Sequence, residues 1–246
     1  IKGPDAAEFL NRVYTNAWMK LPVGKARYGL MLREDGIVMD DGTTTRISEN
    51  HYHMTTTTAQ AANVLSHLEY YLQIVWPELN VNVVSTTEQW AGAAIAGPKS
   101  RDMLSKLYPD LDVSNDALPF MGCREAEFFG VPSRIFRISF SGELAYEINV
   151  KSDHGMFMWE KMMEVGKEFG NQPYGTEALS TLRIEMGHVA GPELDGRTIP
   201  SDVSLNGLVS KKKDFIGKNS LGREAFNVES RQKIVGLIPI DRKSSI

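Results

Sequence analysis

The sequence predicts an α+β fold with mixed, largely antiparallel sheets and packed helices. Two observations favour this class. Pairs of apolar segments separated by tight turns occur in both halves of the chain, and helix-spaced segments do not alternate strictly with strands, as a doubly wound parallel sheet would require. The chain has 246 residues, of which 42% are hydrophobic and 24% charged, which suits one large core or two small ones.

The first half of the chain begins with a short helix and a hairpin. We predict a helix over residues 4–10, a strand over 28–32, a turn at Asp35-Gly36 and a second strand over 37–39 that ends at Asp40-Asp41-Gly42. Periodicity predicts the remaining elements. These are strands over 52–57, 81–84 and 91–96 and helices over 59–72 and 98–107.

The second half repeats this style. A strand over 134–140, a turn at Ser141-Gly142 and a strand over 144–150 predict a second hairpin, followed by helices over 156–169 and 176–186. The apolar run 234–240 reads as a strand without a partner, so we expect the chain to be a fragment. The expected organisation is an α+β region over 1–172 with room for two intertwined subdomains, a helical and loop continuation over 173–230, and the start of a truncated C-terminal β domain over 231–246.

Composition excludes several classes of protein. A formal net charge of -4 lacks the basic footprint of nucleic-acid binding, and no apolar run approaches the roughly 20 residues that cross a bilayer. We therefore expect no nucleic-acid partner and no membrane partner. The single cysteine, Cys123, and the absence of a signal-peptide pattern favour the cytoplasm. Neither phosphate-binding glycine motif, G-x-x-x-x-G-K-[ST] or G-x-G-x-x-G, is present.

Two weaker signals each have a structural and a functional interpretation. His51 and His53 lie two apart on a predicted strand and point to one face, as two metal ligands would. No third ligand has an obvious spacing, so we predict no metal site and a half-exposed strand edge instead. The run Lys211-Lys212-Lys213 is typical of a solvated charged surface, with attraction for an acidic ligand tail as the alternative.

Asp40 and Asp41 are the candidate reactive groups. Adjacent residues of a strand point to opposite faces, so one carboxylate is expected to face inward while the other is solvated. An inward carboxylate can accept a proton or stabilise a cation in surroundings of low dielectric constant. The alternative is that both are ordinary turn-forming residues.

Four segments, in order along the chain, resemble the aminomethyltransferase family, also called the glycine-cleavage T-protein family. They are the stretch 28–41 ending in Asp-Asp, the hairpin Phe-Ser-Gly-Glu-Leu-Ala-Tyr-Glu at 140–147, the Leu-Arg-Ile-Glu helix at 182–185 and Asp-Phe-Ile-Gly-Lys at 214–218. The four-threonine run at 55–58, the helix ending at Tyr70 and the stretch 203–209 most resemble the C-terminal folate domain of the alpha subunits of heterotetrameric sarcosine oxidases.

The resemblance implies a T-protein-like fold and an enzyme that uses tetrahydrofolate. In the sarcosine oxidase branch, an amine is oxidised on a flavin and the folate domain receives the resulting imine carbon, which yields 5,10-methylenetetrahydrofolate. The resemblance therefore implies flavin-carrying subunits of a hetero-oligomer as partners and a small-molecule substrate. FAD, FMN and NAD are expected only in other parts of that complex.

The resemblance also implies roles for particular residues. Asp41 matches the family's catalytic Asp and is preferred over Asp40. Arg183 has two open interpretations, a pairing with the ligand's glutamyl carboxylates or with Glu185 or another buried acid. The residues that match, or stand in place of, folate-contacting positions are Tyr28, Thr55, Thr57 (where the family often has Asn), Phe140 (where it usually has Tyr), Glu147 and Arg183.

Two alternatives stay open. A free-standing member of the family, either a T-protein aminomethyltransferase or a folate-dependent demethylase, would show the same motifs. The family's non-catalytic iron–sulfur-assembly branch carries a Lys-Gly-Cys-Tyr motif, whereas the corresponding stretch here, 213–218, contains no cysteine.

Overall fold

Two antiparallel sheets organise the computed structural model, which describes residues 1–237. The first sheet has the strand order β1-β2-β3 and the second has the order β4-β7-β6-β5. The strands are β1 (Lys25–Leu32), β2 (Val38–Ser48), β3 (His51–Met54), β4 (Trp90–Ala96), β5 (Cys123–Phe128), β6 (Val131–Phe136) and β7 (Ala145–Lys151). The α-helices are α1 (Ala6–Val13), α2 (Ala61–Tyr70), α3 (Ser100–Leu107), α4 (Gly155–Gly166) and α5 (Thr176–Met186). The predicted α+β class is confirmed.

The first hairpin forms as predicted, but its second strand is longer. Strand β2 does not end at Asp40-Asp41-Gly42; it continues to Ser48, with Leu30 of β1 opposite Asp41. The β-branched run that follows Gly42 favours extended backbone, and β1 offers a pairing partner along the whole length. The two carboxylates therefore lie inside a strand of the sheet, not in a turn.

The second sheet contains the predicted β6–β7 hairpin and one strand that the sequence analysis missed. Strand β5 pairs with β6 at the edge of the sheet. Glu125 and Glu127 are exposed and Arg124 is only half-buried, so the strand lacks the apolar run that marks a strand in the sequence. Strand β6 ends at Phe136, so the predicted strand over 134–140 was too long at its C-terminal end.

Three other predicted elements differ from the structure. The strand over 52–57 is confined to β3, and the strand over 81–84 is reduced to an isolated bridge between Asn82 and Lys2. The helix over 59–72 is α2 followed by one π-helical turn, Tyr71–Val75. Of the predicted strand over 234–240, residues 234–237 form no strand and the rest lie outside the described residues.

Three apolar clusters hold these elements together. One packs α3 and α4 on one face of the second sheet and draws on residues 91–169. Another packs α1 and α2 on the first sheet. The third joins Leu30, Leu32 and Val38 of the first hairpin to Phe215 and to apolar side chains between 194 and 221. The first sheet is therefore completed by a segment about 180 residues further along the chain. Within residues 1–237, no helix combines the length and apolar character needed to cross a membrane.

We predict that Gly42→Ala destabilises the first sheet. A Cβ at position 42 would lie 2.2 Å from the backbone oxygen of Thr55, which is far inside contact distance. Forcing the chain apart should lower the free energy of unfolding by about 1–3 kcal/mol, measured by urea denaturation. Gly222→Ala is the matched control because a Cβ there meets nothing within 4 Å. Equal stability of the two variants would contradict the prediction.

Candidate functional site

Strand β2 sends its two adjacent carboxylates to opposite faces of the first sheet. Asp40 is 3% exposed and accepts a hydrogen bond from the backbone N–H of Thr57, at 3.2 Å. Burial raises the pKa of Asp40 to about 6. Asp41 is half-buried on the other face. The expectation that one of the two is solvated was wrong, because β2 is an interior strand with packing on both sides.

Tyr28 and Asp41 are brought into direct contact. The Tyr28 hydroxyl donates a hydrogen bond of 2.6 Å to Oδ2 of Asp41, and the two side chains occupy diagonal positions of the β1–β2 pair on one face. Burial raises the pKa of Asp41, while this hydrogen bond acts to lower it. Burial and the neighbouring carboxylate raise the pKa of the Tyr28 hydroxyl, so it remains a donor at neutral pH.

The threonine run leaves β3 next to this pair. Thr55 Oγ1 accepts from the backbone N–H of Thr43, at 3.1 Å, and donates to the Thr43 carbonyl, at 3.0 Å. Thr55 also lines a cavity of about 450 Å³ whose walls include His53, Trp90 and Arg134. Thr57 instead donates a hydrogen bond to Asp40 through its backbone N–H. The two predicted polar contacts therefore lie on different sides of the first sheet.

Glu147 lies on the second sheet, on the face that is turned away from α3 and α4. Its neighbours along β7, Tyr146 and Ile148, are fully buried in the helix-packed cluster, so alternation sends Glu147 the other way. It is opposite Phe136 of β6, and the His53 ring of β3 stacks on Phe136 at 5.7 Å. Glu147 thus faces the side of the first sheet that carries His53. Burial raises its pKa.

Phe140 and His188 form a contact that sequence reasoning missed. The Phe140 ring is 40% exposed and stacks on the His188 ring, with centroids 5.7 Å apart. Nδ1 of His188 lies 2.9 Å from the Phe140 carbonyl oxygen. A positive charge on His188 acts to lower the pKa of Asp41. The only sequence signal was a histidine directly after the glycine that ends α5.

Arg183 is buried in an ion pair. Its Nη1 donates to Oε2 of Glu193 at 2.8 Å and to the carbonyl of His188 at 3.1 Å. Of the two interpretations given above, these contacts match the pairing with an acid, which is Glu193 and not Glu185. A contact between Arg183 and a ligand carboxylate stays a prediction.

The two weaker sequence signals have structural explanations. His53 packs between Phe136 and Trp90, and burial lowers the pKa values of His51 and His53 to about 4. In the described part of the chain, no three His, Cys, Asp or Glu side chains are grouped so that they could hold a metal ion. Lys213 donates to the Asn11 carbonyl at the end of α1, at 2.6 Å, and to the Tyr14 carbonyl, so the basic run is not uniformly solvated.

The arrangement places two half-buried carboxylates, those of Asp41 and Glu147, on facing sheets. Tyr28, Asp41 and Thr55 lie on one face of the first sheet, and Phe140 contacts His188. Glu147 belongs to the second sheet, and its link to the cluster runs through the Phe136–His53 stack, without a direct contact to Asp41 among the described hydrogen bonds. A carboxylate held by a phenol donor can stabilise a cation, and a half-buried carboxylate without a cationic partner can bind the N–H groups of a ligand.

Comparison with known proteins agrees with this architecture. The family model described as the GCVT N-terminal domain matches residues 1–213. The sarcosine oxidase subunit alpha of Rhizobium meliloti (strain 1021) is 52% identical, over 100% of this chain and 25% of that protein. An aminomethyltransferase of Chloroherpeton thalassium is 33% identical, over 96% of this chain and 63% of that protein. The glycine cleavage system aminomethyltransferase T from Bartonella henselae has the same fold, with a TM-score of 0.76 and 24% identity over 89% of this chain and 58% of that one.

These matches define a class of protein with the T-protein fold. The chain belongs to the GCVT family, which includes the aminomethyltransferases and the alpha subunits of sarcosine oxidases. The predicted resemblance is confirmed. The chain spans about a quarter of the length of the sarcosine oxidase alpha subunits it matches.

We predict that Asp40→Asn changes the pH dependence of stability. The native pKa of Asp40, about 6, lies above the ordinary value near 4, so the folded state holds this proton more tightly than the unfolded state. The cost of ionising Asp40 is therefore absent at low pH and fully present above pH 6. Relative to wild type, Asp40→Asn should gain up to about 3 kcal/mol of unfolding free energy between pH 4 and pH 7.

Urea denaturation over this pH range measures the difference. Exposed Asp110→Asn is the control and should track wild type throughout. A constant difference between Asp40→Asn and wild type across the range would show that the Asp40 carboxyl does not titrate as described.

Proposed function

We propose that this chain binds tetrahydrofolate and transfers a one-carbon unit to it, forming 5,10-methylenetetrahydrofolate from an imine produced by sarcosine oxidation. The observation that carries the proposal is the Tyr28–Asp41 hydrogen bond on one sheet, facing the sheet that carries Glu147. The family membership and the 52% identity to a sarcosine oxidase alpha subunit support the same reading. We further propose a cytoplasmic location.

Asp41 is the proposed catalytic residue. When a folate amine attacks the imine carbon, positive charge develops on the folate nitrogen, whose proton passes to the imine nitrogen. Attack by the second folate amine then closes the ring and expels the imine nitrogen as the amine of glycine, which takes up the second proton. The ionised Asp41 carboxylate would stabilise that positive charge. The attraction between the two charges is strong because Asp41 is half-buried, where water screens it less. Tyr28 holds Oδ2 through its hydroxyl, which fixes the carboxylate and leaves its other oxygen for the substrate.

Glu147 is the proposed anchor for the pterin ring. The ring carries an N–H and an exocyclic amine side by side, which match the two oxygens of one carboxylate. Burial raises the pKa of Glu147, and no compensating cation contributes to that pKa among the described residues. Two donated hydrogen bonds from a ligand would compensate for the lost hydration, so the residue fits the group it is proposed to bind.

Further contacts would come from the loop around Phe140 and from the threonine run. Phe140 presents an exposed ring face on which a ligand ring can stack, although it lacks the hydroxyl of the family's usual Tyr. Thr55 lines the cavity, with its hydroxyl engaged by Thr43, and Thr57 lies next to Asp40. Arg183, whose guanidinium is already paired with Glu193, is the proposed contact to the glutamyl tail.

The proposed partners are flavin-carrying subunits of a hetero-oligomer, which would supply the imine. FAD, FMN and NAD would belong to those other parts of the assembly. The 52% identity over the whole chain favours this reading over a free-standing aminomethyltransferase, for which the identity is 33%. Copurification of the chain with a flavoprotein separates the two. Transfer from an aminomethyl group on a lipoyl carrier protein, without a flavoprotein, would favour the free-standing enzyme.

We predict that Glu147→Ala weakens binding of reduced folate. Removing the anchor leaves two ligand donors without a partner, which should cost about 1–3 kcal/mol of binding free energy in a calorimetric titration. Exposed Glu160→Ala on α4 is the matched control and should bind as wild type does. If wild type itself shows no affinity for reduced folate, the proposed function is wrong.

The same titration should depend on pH. Because burial raises the pKa of Glu147, its carboxylate is protonated at a higher pH than usual, and affinity should fall as the pH is lowered from 7.5 through this raised pKa. Glu147→Gln cannot titrate, so the slope attributable to this group should disappear in that variant. Identical pH profiles for wild type and Glu147→Gln would exclude Glu147 as the anchor.

We predict that Asp41→Asn mainly affects carbon transfer. In the assembled complex the rate at which methylenetetrahydrofolate forms should fall by about 10²-fold or more, which is the usual effect of removing an acid–base or charge-stabilising group. Affinity for reduced folate should change by less than about 1 kcal/mol, since the hydrogen bond from Tyr28 can still be accepted by the amide oxygen. Asp110→Asn serves as the control. A fully active Asp41→Asn enzyme would remove Asp41 from the mechanism.

A further inference from the structure

The backbone at the end of α5 is hydrogen-bonded so that it holds one residue, His188, in place. Helix α5 stops at Gly187, whose φ of +75° is the left-handed conformation that ends many helices. This geometry turns the N–H of His188 back onto the carbonyl of Arg183, at 2.9 Å. The Arg183 guanidinium in turn donates to the carbonyl of His188, at 3.1 Å. Both backbone polar groups of His188 are therefore held by the same residue.

A second pair of contacts fixes Arg183 itself. Oε2 of Glu193 accepts from Arg183 at 2.8 Å and from the backbone N–H of Ala190, also at 2.8 Å. Both the guanidinium and the carboxylate are largely buried, with side-chain exposures of 9% and 25%. A charge pair that is shielded from water and hydrogen-bonded on both sides holds its geometry well. These hydrogen bonds within the segment from Arg183 to Glu193 therefore fix the backbone on both sides of His188.

The imidazole of His188 extends from this segment and contacts Phe140. A carbonyl oxygen only accepts hydrogen bonds, so the contact between Nδ1 and the Phe140 carbonyl, at 2.9 Å, requires a proton on Nδ1. In the neutral ring the lone pair then belongs to Nε2. The ring also stacks on Phe140, at an interplanar angle of 19°. Phe140 is the residue that the proposed function places against the folate ring.

The imidazole also acts electrostatically on Asp41. The charged and titratable groups that interact with that carboxylate come from four parts of the chain. They are Tyr28 of β1, which donates to it, Asp40 of β2, Tyr14 after α1 and His188 after α5. Among these, His188 is the one that carries positive charge when protonated, and its charge favours the ionised form of Asp41.

We propose that His188 is a positioning residue of the one-carbon-transfer site, held in place by Arg183 and Glu193: its imidazole ties the Phe140 loop to the end of α5. The inference rests on the proposed function for its ligand-binding consequence. An electrostatic part accompanies it, because a positive charge on His188 favours the ionised form of Asp41, and this part can be tested without folate. The inference also gives Arg183 a role that needs no contact with the ligand.

Two variants separate the two parts of this role. His188→Asn places an amide N–H where Nδ1–H lies, so it keeps a donor for the Phe140 carbonyl but carries no charge. His188→Leu removes both the donor and the charge. Exposed His154→Asn, before α4, is the matched control because His154 does not contribute to the pKa of Asp41.

The first readout needs no folate. Carbon-13 NMR of the Asp41 carboxyl, recorded on the full chain, gives its titration midpoint. Loss of a nearby cation should raise this midpoint in His188→Asn relative to wild type, whereas His154→Asn should leave it unchanged. A merely structural role for His188 would not move the midpoint in a variant that keeps the hydrogen bond. An unchanged midpoint in His188→Asn overturns the electrostatic part of the proposal.

The second readout is calorimetric titration with reduced folate at pH 7.5. His188→Asn should bind within about twofold of wild type, while His188→Leu should bind roughly 3- to 10-fold more weakly, the equivalent of one lost hydrogen bond. Equal affinity of His188→Leu and wild type overturns the positioning of Phe140. Absence of binding by wild type would instead refute the proposed function and leave the Asp41 titration as the test of this inference.

Discussion

The hydrogen bond between Tyr28 and Asp41 is the interaction on which the site depends. It exists because β1 and β2 pair in a register that sets the two side chains diagonally on one face, and because β2 continues beyond the carboxylates. Had the strand ended at Asp41, both carboxylates would have been hydrated and neither pKa raised. Because β2 is continuous, Asp40 is fully buried and Asp41, the proposed catalytic residue, is half-buried.

Most of the fold could be predicted from local patterns, and the failures have physical causes. The two hairpins and five helices follow from apolar periodicity and turn residues, and their presence is confirmed. Strand β5 was missed because an edge strand with charged outward positions carries little hydrophobic signal. The predicted strand over 81–84 is reduced to one bridge, between Asn82 and Lys2. Lys2 lies 80 residues earlier in the sequence, and its neighbours do not continue the pairing. Contacts of that separation leave no trace in a local window.

The candidate site was predicted less completely. Its residues came from the family resemblance, which drew attention to the hairpins carrying Asp41 and Glu147. It could not show that Arg183 is already paired with Glu193, since that pair depends on how the loop after α5 folds back. His188 was missed for the same reason: a single histidine has no pattern, and its significance lies in the carbonyl of Phe140, 48 residues earlier.

The packing of the chain's late segment on the first sheet has a consequence for biosynthesis. The cluster around α3 and α4 uses only residues 91–169, whereas the first hairpin needs apolar partners from 194–221, and α1 is capped by Lys213. During translation, we therefore expect the later-encoded second sheet to fold before the first sheet is complete. Until residues 194–221 have been synthesised, Leu30, Leu32 and Val38 stay exposed. During this interval we expect the nascent polypeptide to need chaperone protection most.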